Sequence, residues 1–333
     1  MAVTDIHAHI LVESLLEQLT DAGLSTRPTL RSVDDDMMML DLANGKSHGP
    51  IPKTLVNVDQ RLRDMDAQGV ELQILSAVPM LFGYAESTEI GTAVSRLTND
   101  SMLAVTARNP DRFQVFASLP MQDAGTAVAE IERLAGETVV RGVQIGTNVA
   151  GNNLDDPLLG PVWAALERYE LPALLHPCPP LVGVNRMGGY HLSNLIGNLV
   201  ETTVAIASLA FGGILERHPG LRIGLVHGGG YWPYQTGRWD HGFEWRREAQ
   251  VNLQVPPSTF YGQVFCDTIT HDRGSLRFLG ERVGWDHVMI GTDYPFDMAE
   301  PDPVGELRGI GLDPSKERAV LEGNVKHFLR SAP

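Results

Sequence analysis

The chain predicts an α/β fold, a (β/α)8 barrel of the TIM type with a cap inserted after its first strand. Three observations point there. Eight short apolar runs alternate, for the most part, with helix-like stretches. The 333 residues accommodate one barrel of about 250 residues with insertions. No glycine-rich GxGxxG turn follows an early run, which weakens the alternative of a doubly wound open sheet.

The runs are of strand length and come in order. The first is Ala2-Val3-Thr4-Asp5-Ile6, which leads into His7-Ala8-His9. Then come 70–76 (VELQILS), 114–119 (QVFASL), 141–145 (RGVQI), 171–176 (LPALLH), 222–227 (RIGLVH), 263–267 (QVFCD) and 287–292 (HVMIGT). Between them, helices are expected at 61–68, 89–107, 123–135, 161–169, 201–217 and 272–279, with 315–329 closing the chain. Two connections are too long for simple turns. The stretch 11–58 carries Asp34-Asp35-Asp36, Met37-Met38-Met39-Leu40 and Asn44-Gly45, the makings of a small hairpin or cap. The stretch 178–198 is rich in Gly, Pro and Asn. Both leave the C-terminal ends of strands, where barrels keep their chemistry, so both read as pocket walls. Residues 1–333 are therefore expected to form a single domain, with the cap-like insertion at about 11–58.

Composition narrows the function. Lys and Arg number 26 against 41 Asp and Glu, a net charge of −15 that disfavours nucleic acid and anionic membranes as partners. A small anionic substrate stays open, because a few arginines can dominate one pocket. The only cysteines, Cys178 and Cys266, exclude a disulfide scaffold and argue against a Cys-based zinc site. MAVTDIHAHI has no signal-peptide pattern, and no run of about 18 apolar residues is unbroken, so a cytoplasmic protein is expected.

The chemistry gathers at strand ends. His7 and His9, two apart on strand one, face the same side. His176 ends strand five, His227 ends strand six and Asp293 follows strand eight. Alone, an HxH pair or a lone histidine is more often structural, and Asp293 could merely cap the Asp293-Tyr294-Pro295-Phe296 turn. Four histidines and a carboxylate at the ends of four strands of one barrel instead point to a divalent metal. Imidazole and carboxylate suit Zn²⁺ first, with Mn²⁺, Fe²⁺ or Co²⁺ also accepted. Such an ion lowers the pKa of its water to about 7. His48, His218, His241, His271, His287 and His327 lack this placement and read as surface or structural. His191, in the loop after strand five, is the possible exception.

This layout, with the phrases Glu201-Thr202-Thr203, Val226-His227-Gly228-Gly229-Gly230 and Gly291-Thr292-Asp293-Tyr294-Pro295-Phe296, resembles the amidohydrolase superfamily, and within it the amidohydrolase-2 branch. The likeness covers nearly the whole chain. It extends to Met65-Asp66, Leu119-Pro120-Met121-Gln122, Gly142 to Thr147 and Gly237-Arg238. The resemblance implies one metal held by His7, His9, His176 and Asp293, with His227 as general acid/base and Asp293 as a possible proton shuttle. Two-metal members place a bridging lysine on strand four, and this strand has Arg141 and Gln144 with no lysine. The implied activity is non-oxidative decarboxylation of an aromatic or unsaturated carboxylic acid, using a metal-bound water and the histidine. The alternative is a hydrolase or hydratase of a small ester, lactone, amide or C=C substrate.

For substrate binding, the resemblance nominates Arg238 and Arg246, whose forked guanidinium groups suit a carboxylate. It also implies a homodimer in which Arg238 serves the partner's site. Their bland reading is a solvated helix face. His191 and Phe296 are further expected pocket residues, and Cys178 reads as pocket lining rather than a nucleophile. The chain departs from a decarboxylase of that branch in the pocket itself. Gly49 stands where an arginine is expected after Gly45-Lys46, and His191 and Asn194 replace two tryptophans. These changes argue for a different substrate, not for different metal chemistry.

Overall fold

Eight parallel strands close round an apolar plug. In the computed structural model, which describes residues 3–25, 27–41, 45 and 47–329, they are β1 (Thr4–Ile10), β5 (Leu72–Ala77), β6 (Phe113–Ser118), β7 (Val140–Gly146), β8 (Ala173–His176), β9 (Ile223–Leu225), β10 (Val264–Asp267) and β11 (Val288–Met289). They neighbour one another in that order. The last expected strand, 287–292, is the least regular. Only two residues of β11 pair with β10, and the barrel then closes through irregular backbone. Ile6 N–H donates to Ile290 O, His9 N–H to Tyr294 O and Asp293 N–H to His7 O, at 2.7–3.0 Å. Ile6, Ile74, Phe116, Leu174, Phe265 and Met289 fill the interior, and Phe328 from the C-terminal segment plugs its base. A larger apolar cluster lies between sheet and helices.

The helices are α1 (Glu13–Asp21), α2 (Val58–Gln68), α3 (Thr88–Arg108), α4 (Ala124–Leu134), α5 (Gly160–Arg168), α6 (Leu199–Phe211), α7 (Ile214–Arg217), α8 (Trp232–Trp245), α9 (Arg273–Val283), α10 (Pro303–Gly309), α11 (Pro314–Arg318) and α12 (Asn324–Phe328). The helix expected over 201–217 is two, because Gly213 at φ +73° turns the chain between α6 and α7. The closing helix is likewise divided by a π-helical turn at Ala319–Gly323. Helices α1, α8 and α10 are not among those expected. The last two begin at a proline in their first turn, the favoured place for a residue without an N–H. The stretch Ser193–Phe211 is long and apolar enough to cross a membrane by length and composition alone. Here it packs as a barrel helix, with Ala205, Ile206 and Leu209 in the core.

The cap is more than a hairpin. Strands β2 (Thr29–Ser32), β3 (Met37–Asp41) and β4 (Ser47–Pro52) form an antiparallel sheet with β3 in the middle. The acidic triplet makes the turn, since Asp34 Oδ1 accepts from the N–H groups of Asp36 and Met37. Met38, Leu40 and Ile51 pack with Leu15 and Leu19 of α1 and with Leu81 and Val94 of the barrel. Ala2, Asn44 and Lys46 lie outside the described residues.

Candidate metal centre

Three histidines are each anchored through the same ring nitrogen. His7 Nδ1 lies 2.8 Å from Asp267 Oδ2, His9 Nδ1 lies 3.0 Å from the carbonyl of Ala77 and His176 Nδ1 lies 2.9 Å from that of Pro177. Carboxylate and carbonyl oxygens only accept, so each Nδ1 carries its proton and each Nε2 keeps a lone pair for the centre. His7 Nε2 is 3.2 Å from His9 Nε2, and both are 3.3 Å from Asp293 Oδ1. Ligand atoms about 2.0–2.2 Å from a shared ion stand about 3–3.5 Å apart, so the spacing fits a divalent cation. Asp293 Oδ1 is buried and accepts no hydrogen bond, as suits an oxygen aimed at an ion.

His227 is different. Its Nε2 is 3.5 Å from Asp293 Oδ2, and one ligand atom each from His7, His176, His227 and Asp293 falls within 4.8 Å of the others. Its Nδ1 has no partner, so nothing fixes its tautomer as in the other three.

The electrostatics favour a positive charge at this point. Burial opposes charge on His7, but the Asp293 carboxylate and the Asp267 hydrogen bond outweigh it and push its pKa up to about 10. Burial would raise Asp293, but the His7 charge and the close approach of the His227, His7 and His9 imidazoles hold it well below the usual carboxylate range. His9 and His176 are lowered, first by burial and then by neighbouring histidine charge. A divalent ion would take the place of the His7 proton.

Two cavity lobes meet at His227 and Asp293. One, of about 650 Å³, reaches His176 and is walled by Phe82, Tyr84, Pro179, Pro180 and Phe296. The other, of about 590 Å³, runs past Tyr234, Ile269, His271 and Phe278. Among the described residues neither lobe is lined by a lysine or arginine. His191 and Phe296 both line the first lobe, and the Phe296 ring sits 5.2 Å from that of His9. Arg238 and Arg246 line neither. Both are exposed on or just past α8, and Arg246 pairs with Glu248 at 2.8 Å. Cys178 is buried in the cavity wall, and burial pushes its thiol up to about 11, which disfavours a nucleophilic thiolate.

Sequence reasoning passed over several residues that build this site. Asp267 ends the seventh run, the same strand-end position that singled out the ligands. Asp5 accepts from His7 N–H, Thr292 and Gln73, stitching β1 to its neighbours at 2.6–3.1 Å. Glu201, noted only within a family phrase, accepts from Asn148 Nδ2, Thr147 Oγ1 and the Val182 N–H, and so pins the loop after β8.

A family model described as amidohydrolase matches residues 4–330. The 2-amino-3-carboxymuconate-6-semialdehyde decarboxylase of Dictyostelium discoideum is 34% identical over 99% of this chain and 92% of its own. The crystal structure of 5-carboxyvanillate decarboxylase from Sphingomonas paucimobilis matches at TM-score 0.83 and 25% identity, over 99% of each chain. A dihydroxybenzoic acid decarboxylase from Polaromonas sp., solved with bound manganese and 2-nitroresorcinol, matches at TM-score 0.80 and 22% identity, over 98% of this chain and 96% of its own.

Proposed function

The chain belongs to the amidohydrolase-2 family, and from that premise we propose that it is a metal-dependent, non-oxidative decarboxylase of an aromatic or unsaturated carboxylic acid. The relatives named above are decarboxylases. The observation that carries the reading is the contrast among the histidines: three with Nδ1 anchored and Nε2 converging beside Asp293, and a fourth whose Nδ1 is free. The anchored three and Asp293 are ligands for one divalent ion, Zn²⁺ first, then Mn²⁺, Fe²⁺ or Co²⁺. The ion supplies a Lewis acid for substrate oxygens.

His227 holds and moves the proton. Loss of CO₂ from R–COO⁻ leaves an electron pair on carbon, and a proton delivered there completes R–H. His227 lines both lobes, and the 3.5 Å approach of its Nε2 to Asp293 Oδ2 supports a relay role for Asp293. The flat walls of Phe82, Tyr84 and Phe296 suit an unsaturated ring. Among the described residues neither lobe is lined by a cationic side chain, and this supports Arg238 of a second subunit as the carboxylate's partner. The homodimer this requires is supported by exposed aromatics on that face, Tyr234 at 72% and Trp245 at 69%. We read the enzyme as cytoplasmic.

The test is a panel of hydroxybenzoic and unsaturated acids with metal-loaded enzyme in D₂O. Decarboxylation releases CO₂ and places deuterium on the vacated carbon. Uptake of ¹⁸O from labelled water without CO₂ would instead make the enzyme a hydrolase or hydratase.

A further inference from the structure

We propose that Asp267 is a positioning residue that couples the two halves of the site, setting the metal ligand His7 and the proton-transfer group His227 with one carboxylate. The inference rests on the reading of those two histidines given above.

Asp267 is the last residue of β10 and is fully buried. Its Oδ2 takes the His7 Nδ1 proton at 2.8 Å and the backbone N–H of His227 at 3.0 Å. Its Oδ1 accepts from the N–H groups of Gly228 at 2.7 Å and Ile269 at 3.1 Å. One side chain thus touches a ligand on β1 and the turn after β9. The turn needs such a brace. His227, Gly228, Gly229 and Gly230 all have positive φ, +54°, +61°, +76° and +62°. Glycine adopts this freely, whereas histidine does so only against the clash of its Cβ with the backbone.

The His227 ring has no orienting partner at Nδ1, and its Nε2 has only the 3.5 Å approach to Asp293. Its aim is therefore set by the backbone, and the backbone is held by Asp267. The contact between β10 and β1 depends in turn on a glycine. A Cβ on Gly291 would meet Asp267 Cβ at 2.7 Å and His7 Cβ at 3.1 Å. The same carboxylate fixes the His7 tautomer, so a shift at either end is passed to the other.

Asp267→Asn tests this. An amide offers one acceptor oxygen, so it cannot serve His7 and the Gly228 and Ile269 N–H groups together, and it weakens the bond to His7 by removing the carboxylate charge. Two losses are expected in one variant. The dissociation constant for Co²⁺, measured by chelator competition, rises about 10–100-fold with an altered visible spectrum. At saturating metal, kcat stays lower on the order of 10²-fold while KM changes little. Full recovery of kcat at saturating metal would confine Asp267 to His7. Unchanged Co²⁺ affinity would confine it to the turn. Either result overturns the coupling. Because the variant could fail to fold, wild-type protein provides a second measure, hydrogen exchange across 227–230 with and without metal. Coupling predicts faster exchange on metal removal, and unchanged exchange would overturn it. Wild-type protein that binds no Co²⁺ would overturn the underlying reading as well, which separates the two failures.

Discussion

Arg61 of α2 is fully buried and donates from Nη2 to the carbonyl of His9, while Nη1 donates to Gln73 Oε1 at 2.9 Å. Its guanidinium also lies 4.7 Å from the centre of the Tyr294 ring, beside Asp293. Burial lowers its pKa to about 10, so it is still charged at neutral pH. A helix outside the barrel thus grips two of the three segments that carry the proposed ligands.

Replacing Arg61 with Met keeps the apolar stem and removes the donors to His9 and Gln73. The loss should be about 2–4 kcal/mol of unfolding free energy, since buried acceptors are left unpaired. Urea unfolding of the metal-loaded protein measures it. An unchanged midpoint would mean that β1 is held by its strand neighbours alone.

His227→Ala and His176→Ala should separate two roles. The first should keep about one metal equivalent per chain by elemental analysis and lose about 10²–10⁴-fold in turnover. The second should lose the metal, because it removes an Nε2 donor whose ring is fixed by the Pro177 carbonyl. Loss of metal from His227→Ala would make His227 a ligand, an outcome its 4.8 Å grouping with His7, His176 and Asp293 leaves room for.

What the sequence made legible, and what it did not, divides by physical cause. Strand alternation and the strand-end histidines could be read because both follow from periodicity and position. The cap's three strands could not, because β2 is exposed and β4 holds Gly49 and Pro50, which blur any alternation. The break in the helix at Gly213 could be read only weakly, since glycine is tolerated inside helices. Arg61 and Asp267 escaped notice for another reason. Charged residues read as solvent-facing unless their partners are known, and their partners here are backbone groups, Gln73 and a histidine from other strands.

Glu130 of α4 predicts a pH effect away from the metal. It is fully buried and accepts from Asn99 Nδ2 at 2.8 Å and from Arg133 at 2.7 and 2.8 Å. Burial would raise its pKa, but the Arg133 and Asn99 hydrogen bonds and the two arginine charges hold it below the ordinary 4.5. A depressed carboxylate contributes stability above its unfolded value and loses it as pH falls through its folded value. Glu130→Gln should therefore cost about 1–3 kcal/mol above about pH 5, and the gap to wild type should shrink on acidification below that. Urea unfolding from pH 7.5 to 3.5 checks both limbs. A gap that stays constant to pH 3.5 would rule out an ionic role.

The last prediction concerns the missing cation. Neither cavity lobe is lined by Arg or Lys among the described residues, yet the proposed substrate is a carboxylate. Arg238 is exposed on α8 and lines neither lobe, and the same helix exposes Tyr234 and Trp245. Tyr234 also forms part of the second lobe's wall. A two-fold dimer through this face would bring each Arg238 to the partner's cavity and cover the aromatics. Complementation distinguishes this from a solvated arginine. Arg238→Ala and His227→Ala chains are each inactive as homodimers under this reading. After subunit exchange, each heterodimer has one site lacking both groups and one intact site. Random exchange makes half the dimers mixed, so about a quarter of wild-type activity should return. No recovery, with exchange proven by mass-tagged subunits, would place Arg238 outside the partner's pocket.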